Sequence, residues 1–401
     1  MRVAFLAPEF VPTWGGVGIY SVNLVKELSK DPEMEIHVIT PKRDDYDEKK
    51  IEEMFDNKIK VHQISTANDT FFYNFKFQLA VWRKFKKLHK QYNFDLIHSA
   101  NLVHMPDIWL KFGKQRIPSL VTAHTTIKGQ VQGFLQGNKN FFKMAPSEKG
   151  SILAYPVIST LEKIYLKRSK NLITVSNKFA KQFSENGYRG NINVTHNGIA
   201  MELFDYDKVE DPYKEFPQLR EIKEPIILFA GRIITQKGIE VFVKMMKELQ
   251  ERNVHFVIAG RGDAEGLKKL LKNYEIKEEK YTFLGFINNH KLPGLYKLSS
   301  VFVLPSYYEN FPISLLEAMA MKCCCVATNV GAVDEIIDDA INGFIIKPGD
   351  VKDLVEKIKY LLENEQDRIK MAENGYLKVK NNFTSKVMGE KTKRIYEEML
   401  K

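Results

Sequence analysis

"IILFAGRIITQKGIEVFVKMMKEL", residues 226–249, joins a short apolar run, a glycine-containing basic turn, and a segment whose apolar residues return every three or four positions. The first part reads as a buried strand and the last as a helix near Ile239 to Leu249. Downstream the unit repeats: "VHFVIAGRGD" and a helix, then "YTFLG", "LPGLYKL" and "VFVLPS". Upstream, "RVAFLA" reads as a strand, Gly15 to Gly18 as a turn and Ile19 to Leu28 as a helix, with "IHVIT" and "FDLIHS" as further strands. Short β-branched runs alternating with helical periodicity predict an α/β protein with parallel sheets and crossover helices. Two Rossmann-like lobes are the natural outcome, with the site at their facing strand ends. The N-terminal domain is expected over 1–202 and the C-terminal domain over 226–385. An irregular, acidic, proline-bearing linker covers 203–225, and a last helix, 386–401, can pack back on the N-terminal domain.

A chain of 401 residues supports two cores more simply than one. At 44% hydrophobic and 27% charged it belongs with soluble globular proteins, and no segment approaches the roughly 20 apolar residues of a membrane span. "MRVAFLAPEF" runs directly into a strand pattern and is poor signal-peptide material, so a cytoplasmic location is the default expectation. All three cysteines adjoin at Cys323, Cys324 and Cys325 without zinc-like histidine spacing, and "CCCVAT" reads as a short buried strand. The net charge of +10 suits a phosphate-rich substrate, a nucleic acid or an anionic membrane alike. From Thr70 to Phe94 there is no acidic residue. Lys76, Arg83, Lys84, Lys86, Lys87 and Lys90 border a stripe of Phe75, Leu79, Trp82, Phe85 and Leu88. That pattern suits a core-facing helix with a solvated rim, or a helix lying on an anionic membrane surface.

Each lobe offers an anion cradle. In "PTWGGVGIYS" the glycines Gly15, Gly16 and Gly18 can bring backbone N–H groups to a ligand at a helix start, although a tight structural turn explains them equally. In the second lobe Arg232 stands just past a strand and Lys237 near the next helix start, a pairing able to clamp a diphosphate. Glu309 falls in the loop after "VFVLP", and Pro312 can start the helix that carries Glu317. Carboxylates accept hydrogen bonds from sugar hydroxyls, and the N–H groups from Asn310 through Phe311 to Ile313 can face negative charge.

With these residues in view, "ENFPISLLEAMA" is similar to the donor-binding pattern of the retaining glycosyltransferase group 4 family, whose fold is two facing Rossmann-like domains of the GT-B type. "GGVG", "VSNKFAKQF", "HNGIA", "GRIITQKG", "AGRGD", "FLGFI" and "GAVDEI" extend the resemblance over nearly the whole chain. It implies donor phosphate contacts from Arg232 and Lys237 and a closing loop at Gly15 and Gly16. It also implies ribose recognition by Glu317, the transferred sugar beside Glu309, Asn310, Phe311 and Pro312, and an active-site histidine at His124. Glu335 is a weaker helix-start candidate. Asn310 and Thr125 stand where many members have Gly and Asp, and "MKCCCVAT" replaces a commoner glycine- and proline-containing segment, which leaves the particular sugar open.

The implied reaction moves a sugar from a nucleotide diphosphate sugar, a substrate, to a carbohydrate or lipid-linked acceptor hydroxyl with retention. No cofactor or metal is expected, because the cationic clamp can handle the diphosphate. The protein is expected in the cytoplasm, with an anionic membrane face as a candidate partner. Nucleic acid is not expected, since zinc-finger spacing and RNA-binding aromatic motifs are absent. A related phosphorylase or sucrose-synthase-like enzyme, a nucleotide-sugar epimerase and a noncatalytic nucleotide-sugar binding module remain as alternatives. The segment from Thr125 to Ser159, with Phe134, Phe141, Phe142 and Tyr155, is a candidate acceptor cleft or flap.

Overall fold

The computed structural model describes residues 1–11, 15–43, 47–66, 73–113, 117–137 and 146–401. Phe141 and Phe142 lie outside them. The chain divides into two compact units, one of Met1–Gln132, Lys143–Gly198 and Ser385–Lys401, the other of Gly133–Phe142 and Ile199–Thr384.

Seven parallel strands form the sheet of the first unit: β1 (Arg2–Leu6), β2 (Glu35–Lys42), β3 (Ile59–Thr66), β4 (Leu96–Ser99), β5 (Ser119–Ala123), β6 (Asn171–Thr174) and β7 (Asn191–Val194). Their order is β3-β2-β1-β4-β5-β6-β7, so the chain reverses its direction of winding between β1 and β4. Both faces are covered, and the alternation of β1 shows how. Val3 and Phe5 pack with Tyr20, Leu24 and Tyr396, while Ala4 and Leu6 pack with Phe77, Val81 and Phe85. The closing helix Ser385–Leu400 lies against the helix Gly16–Leu28. The latter begins three residues before the expected Ile19: Gly16 and Gly18 are in its first turn, not in a preceding turn.

The helix Tyr73–Tyr92 also differs from its expected face. It buries Phe77, Val81 and Phe85, and leaves Phe75 and Trp82 about half exposed, at 50% and 52%. Phe85 and Leu88 of the expected stripe do face the sheet, but its line runs through Phe77 and Val81 in place of Phe75 and Trp82. The segment after β5 forms helices Ile127–Gly137 and Pro146–Arg168, with Pro156 inside the second.

The second unit has six parallel strands: β8 (Ile226–Ala230), β9 (His255–Ala259), β10 (Tyr281–Gly285), β11 (Val301–Leu304), β12 (Cys324–Thr328) and β13 (Phe344–Ile346). The order β10-β9-β8-β11-β12-β13 puts the reversal between β8 and β11. The helix Ile239–Leu249 buries Val241, Phe242, Met245, Met246 and Leu249 against Ile227, Phe229, Phe256 and Ile258. The three cysteines are buried thiols, at 1% exposure or less, and burial pushes Cys324 up to about 12. Residues 203–225 pack within this unit through buried Phe216 and Leu219.

Candidate functional site

Because the winding reverses between β8 and β11, the loops leaving these two adjacent strands part to opposite faces and open a crevice at their carboxyl ends. Arg232 and Lys237 leave β8; Glu309, Asn310, Phe311 and Pro312 follow β11. The two loops are joined directly, for the Tyr307 N–H donates to the Gln236 carbonyl at 2.9 Å. Lys237 Nζ then reaches Glu309 Oε1 at 2.5 Å, and Ser306 Oγ donates to the same oxygen at 2.7 Å. Arg232 is exposed and makes no ion pair among the described residues.

Two glycines make this closeness available. Gly238 has φ 73°, and a Cβ there would stand 1.9 Å from the Pro305 carbonyl oxygen. Gly331, at φ 59°, would place a Cβ 2.0 Å from the Glu309 carbonyl oxygen. Its neighbour Ala332 donates its N–H to the Asn310 carbonyl at 2.8 Å, tying the loop after β12 to the candidate loop.

Pro312 caps the helix Ile313–Ala320 from the position before it, with no side-chain hydrogen bond to the first N–H groups and no acid in the first turn. The helix start is thus open to an anion. Asn310 accepts from Tyr308 OH at 3.0 Å, and Phe311 packs edge-on to Phe383. Glu317 lies deeper, 3% exposed, where Tyr296 OH donates to its Oε2 at 3.1 Å. Burial pushes its carboxyl up to about 7, against the opposing pull of the tyrosine hydrogen bond. The two glutamates therefore have separate environments: Glu309 belongs to a cation, Glu317 to a buried hydroxyl. Lys322 ends this helix at φ 52° and pairs with Glu373 at 2.9 Å. Glu335 sits in the four-residue helix Val333–Ile336.

In the first unit, Gly15 precedes the helix Gly16–Leu28, which carries neither a side-chain cap nor an acid in its first turn. Tyr20 of that helix meets His124, one residue beyond β5, with ring centroids 4.3 Å apart at 74°. The His124 ring is 7% exposed, its Nε2 is buried without a hydrogen-bond partner, and burial pushes it down to about 3 despite a bond to the Ala100 backbone. It is a neutral imidazole at ordinary pH. Beneath it Thr122 Oγ1 holds Tyr20 OH at 3.0 Å and His98 Nε2 at 2.7 Å, and His98 Nδ1 meets Tyr396 OH at 2.6 Å.

The supporting residues escaped the sequence. Ser306 carries a local signal, three positions before Glu309, but Tyr296 and Tyr396 reach their partners across 21 and 298 residues, for which no spacing prepares. Among the described residues no group of three or more histidines, cysteines and acids is placed to hold a metal ion. No helix among them is long and apolar enough to cross a membrane.

Each of the two parallel sheets, covered by helices, is that of a Rossmann-like domain. Residues 14–203 match the family described as Glycosyltransferase Family 4, and residues 212–378 match Glycosyl transferases group 1; the chain belongs to this GT-B group and is a glycosyltransferase. It is similar to N,N'-diacetylbacillosaminyl-diphospho-undecaprenol alpha-1,3-N-acetylgalactosaminyltransferase of Campylobacter jejuni, at 27% identity with 100% of both chains covered. In fold it is similar to sucrose-phosphate synthase from Thermosynechococcus elongatus, with a TM-score of 0.79 at 20% identity, covering 99% of this chain and 98% of the other. Anabaena HepE, in complex with UDP-glucose, gives a TM-score of 0.75 at 18% identity over 99% and 100% of the two chains.

Proposed function

We propose that the protein transfers a sugar from a nucleotide diphosphate sugar to an acceptor hydroxyl with retention of anomeric configuration, in polysaccharide or glycolipid assembly. The observation that carries the donor assignment is the crevice between β8 and β11, where exposed Arg232, the Lys237–Glu309 pair and the uncapped helix start at Ile313 share one sheet edge. A departing diphosphate gains negative charge as the glycosidic bond breaks, and fixed cations and N–H groups stabilise that charge more than they stabilise the bound donor. Glu309 holds Lys237 in place and accepts from a hydroxyl of the transferred sugar. Glu317 serves the donor ribose.

In the first unit the uncapped helix start at Gly15–Gly16 has N–H groups free to meet an anion, and His124, with its unpartnered Nε2, can make one further hydrogen bond. The leaving phosphate takes the acceptor proton, so no protein nucleophile and no metal are required. The complex of HepE with UDP-glucose supports a nucleotide-sugar donor. The diphospho-undecaprenol in the Campylobacter relative's name supports a lipid-linked acceptor. On this reading the protein works in the cytoplasm, peripherally at a membrane face met by the basic helix Tyr73–Tyr92.

Calorimetric titration with nucleoside diphosphates and their sugars tests the donor assignment. Replacing both Arg232 and Lys237 by Ala should weaken binding at least tenfold while the protein stays folded. Unchanged affinity in a folded double variant would remove the clamp from these residues.

A further inference from the structure

A row of hydrogen-bonded side chains crosses the core of the first unit and ends at the candidate histidine. It starts on the closing helix Ser385–Leu400, where Tyr396 OH meets His98 Nδ1 at 2.6 Å. The other ring nitrogen, His98 Nε2, meets Thr122 Oγ1 at 2.7 Å, and the same Oγ1 meets Tyr20 OH at 3.0 Å. All four side chains are fully buried. Burial pushes His98 down to about 3 and both tyrosines up, so every member of the row is neutral at ordinary pH. A neutral imidazole has one N–H and one lone pair, so His98 donates to one of its hydroxyls and accepts from the other. Thr122 Oγ1 is shared, and the bond it makes to His98 therefore bears on the one it offers Tyr20. The Tyr20 ring in turn stands against His124, which is held on another side by the Ala100 backbone and keeps its Nε2 unpartnered.

Packing alone does not call for this arrangement. Met388 and Ile395 of the same helix already join the apolar core, and apolar groups in place of two buried hydrogen-bonded partners are often neutral for stability. What the polar row adds is direction, because hydrogen bonds fix the rotation of rings that apolar contacts leave free. We infer that Tyr396 is a positioning residue for His124, holding the imidazole at its working angle through His98, Thr122 and Tyr20. The inference rests on the transferase reading only in taking His124 as part of the site. It gives the closing helix, 272 residues beyond that histidine, a share in the chemistry of the first unit.

The test compares the imidazole 15N resonances of single variants of the intact chain, those of His124 being assigned by their loss in His124→Gln. Tyr396→Phe removes one hydroxyl, keeps the ring and should move the His124 resonances. Thr122→Val cuts the row at its middle and should move them as well, so the outcome does not hang on one variant folding. Lys393→Ala removes the pair that the same helix makes with Asp31, and should leave them in place. In transfer from a nucleotide diphosphate sugar to a polyprenyl-diphosphate-linked acceptor, Tyr396→Phe should lower kcat about tenfold with KM for the donor unchanged, while Lys393→Ala matches wild type. Adding Thr122→Val to Tyr396→Phe should cost little more, because both cut one row. His124 resonances that coincide in Tyr396→Phe and wild type overturn the inference. A loss of kcat shared by Lys393→Ala also overturns it, since that marks a loosened helix and not a turned ring. Absence of donor-dependent product from the wild type, with the His124 resonances still moved by Tyr396→Phe, would instead strike the transferase reading and leave the coupling of the two residues standing.

Discussion

Lys237 and Glu309 form an ion pair whose side chains are only 19% and 9% exposed, so each carries much of the other's desolvation. Removing one partner leaves the other poorly solvated and unpaired. Lys237→Met should therefore destabilise the protein by about 1–3 kcal/mol, between the ranges for surface and buried pairs. Adding Glu309→Gln should recover much of this in urea unfolding without recovering turnover. If the double variant is no more stable than the single, the pair does not act as a unit. Glu317 makes a different prediction, because its carboxyl is raised from an ordinary 4.5 to about 7 by burial. The folded state then binds the extra proton between these values, so the stabilisation is fully present below about pH 4.5 and is lost as pH rises toward 7. Glu317→Gln cannot ionise and should flatten that loss, gaining up to about 3 kcal/mol over wild type above pH 7. Parallel stability curves from pH 5 to 8 would refute the assigned environment.

At the scale of elements, the crevice depends on backbone contacts that a methyl group would break. Gly238→Ala and Gly331→Ala should each cost about 2 kcal/mol or more, through a positive φ and a carbonyl in the way. Gly231→Ala, where a Cβ meets nothing within 4 Å, should unfold close to wild type. Equal costs at all three positions would show that the loops yield. The helix Tyr73–Tyr92 presents exposed Phe75 and Trp82 beside lysines and no acid, a face suited to an anionic interface. Reversing the charges of Arg83, Lys84, Lys86 and Lys87 should abolish cosedimentation with anionic vesicles while sparing transfer to a soluble acceptor. No vesicle association by the wild type at low salt would remove this role. Such elements were legible in the sequence where apolar period and length agreed, as in Ile239–Leu249, and the loop positions of Glu309 and Arg232 followed from them. The inward face of Tyr73–Tyr92 was legible only in part, because aromatics stand on both sides of the helix, Phe77 and Phe85 inward and Phe75 and Trp82 outward. The short strands β6 and β7, the second at the sheet edge, and the deep setting of Glu317 were also hidden, since each depends on distant partners.

Across the whole molecule, two sheets of one winding type each reverse next to a candidate ligand loop, that of Gly15 after β1 in one unit and those of Arg232, Lys237 and Glu309 in the other, with His124 following β5, one strand beyond the first reversal. One architecture hosts more than one chemistry, so the reaction must be read from product. The most direct measurement incubates the protein with a panel of nucleotide diphosphate sugars and a polyprenyl-diphosphate-linked sugar acceptor, and follows nucleoside diphosphate release together with the mass and anomeric NMR signals of the product. We predict acceptor-dependent release, one glycoside formed per nucleotide released, and the donor's anomeric configuration in the new linkage. Formation of an epimerised donor, an inverted glycoside, or binding without turnover across the panel would contradict the account.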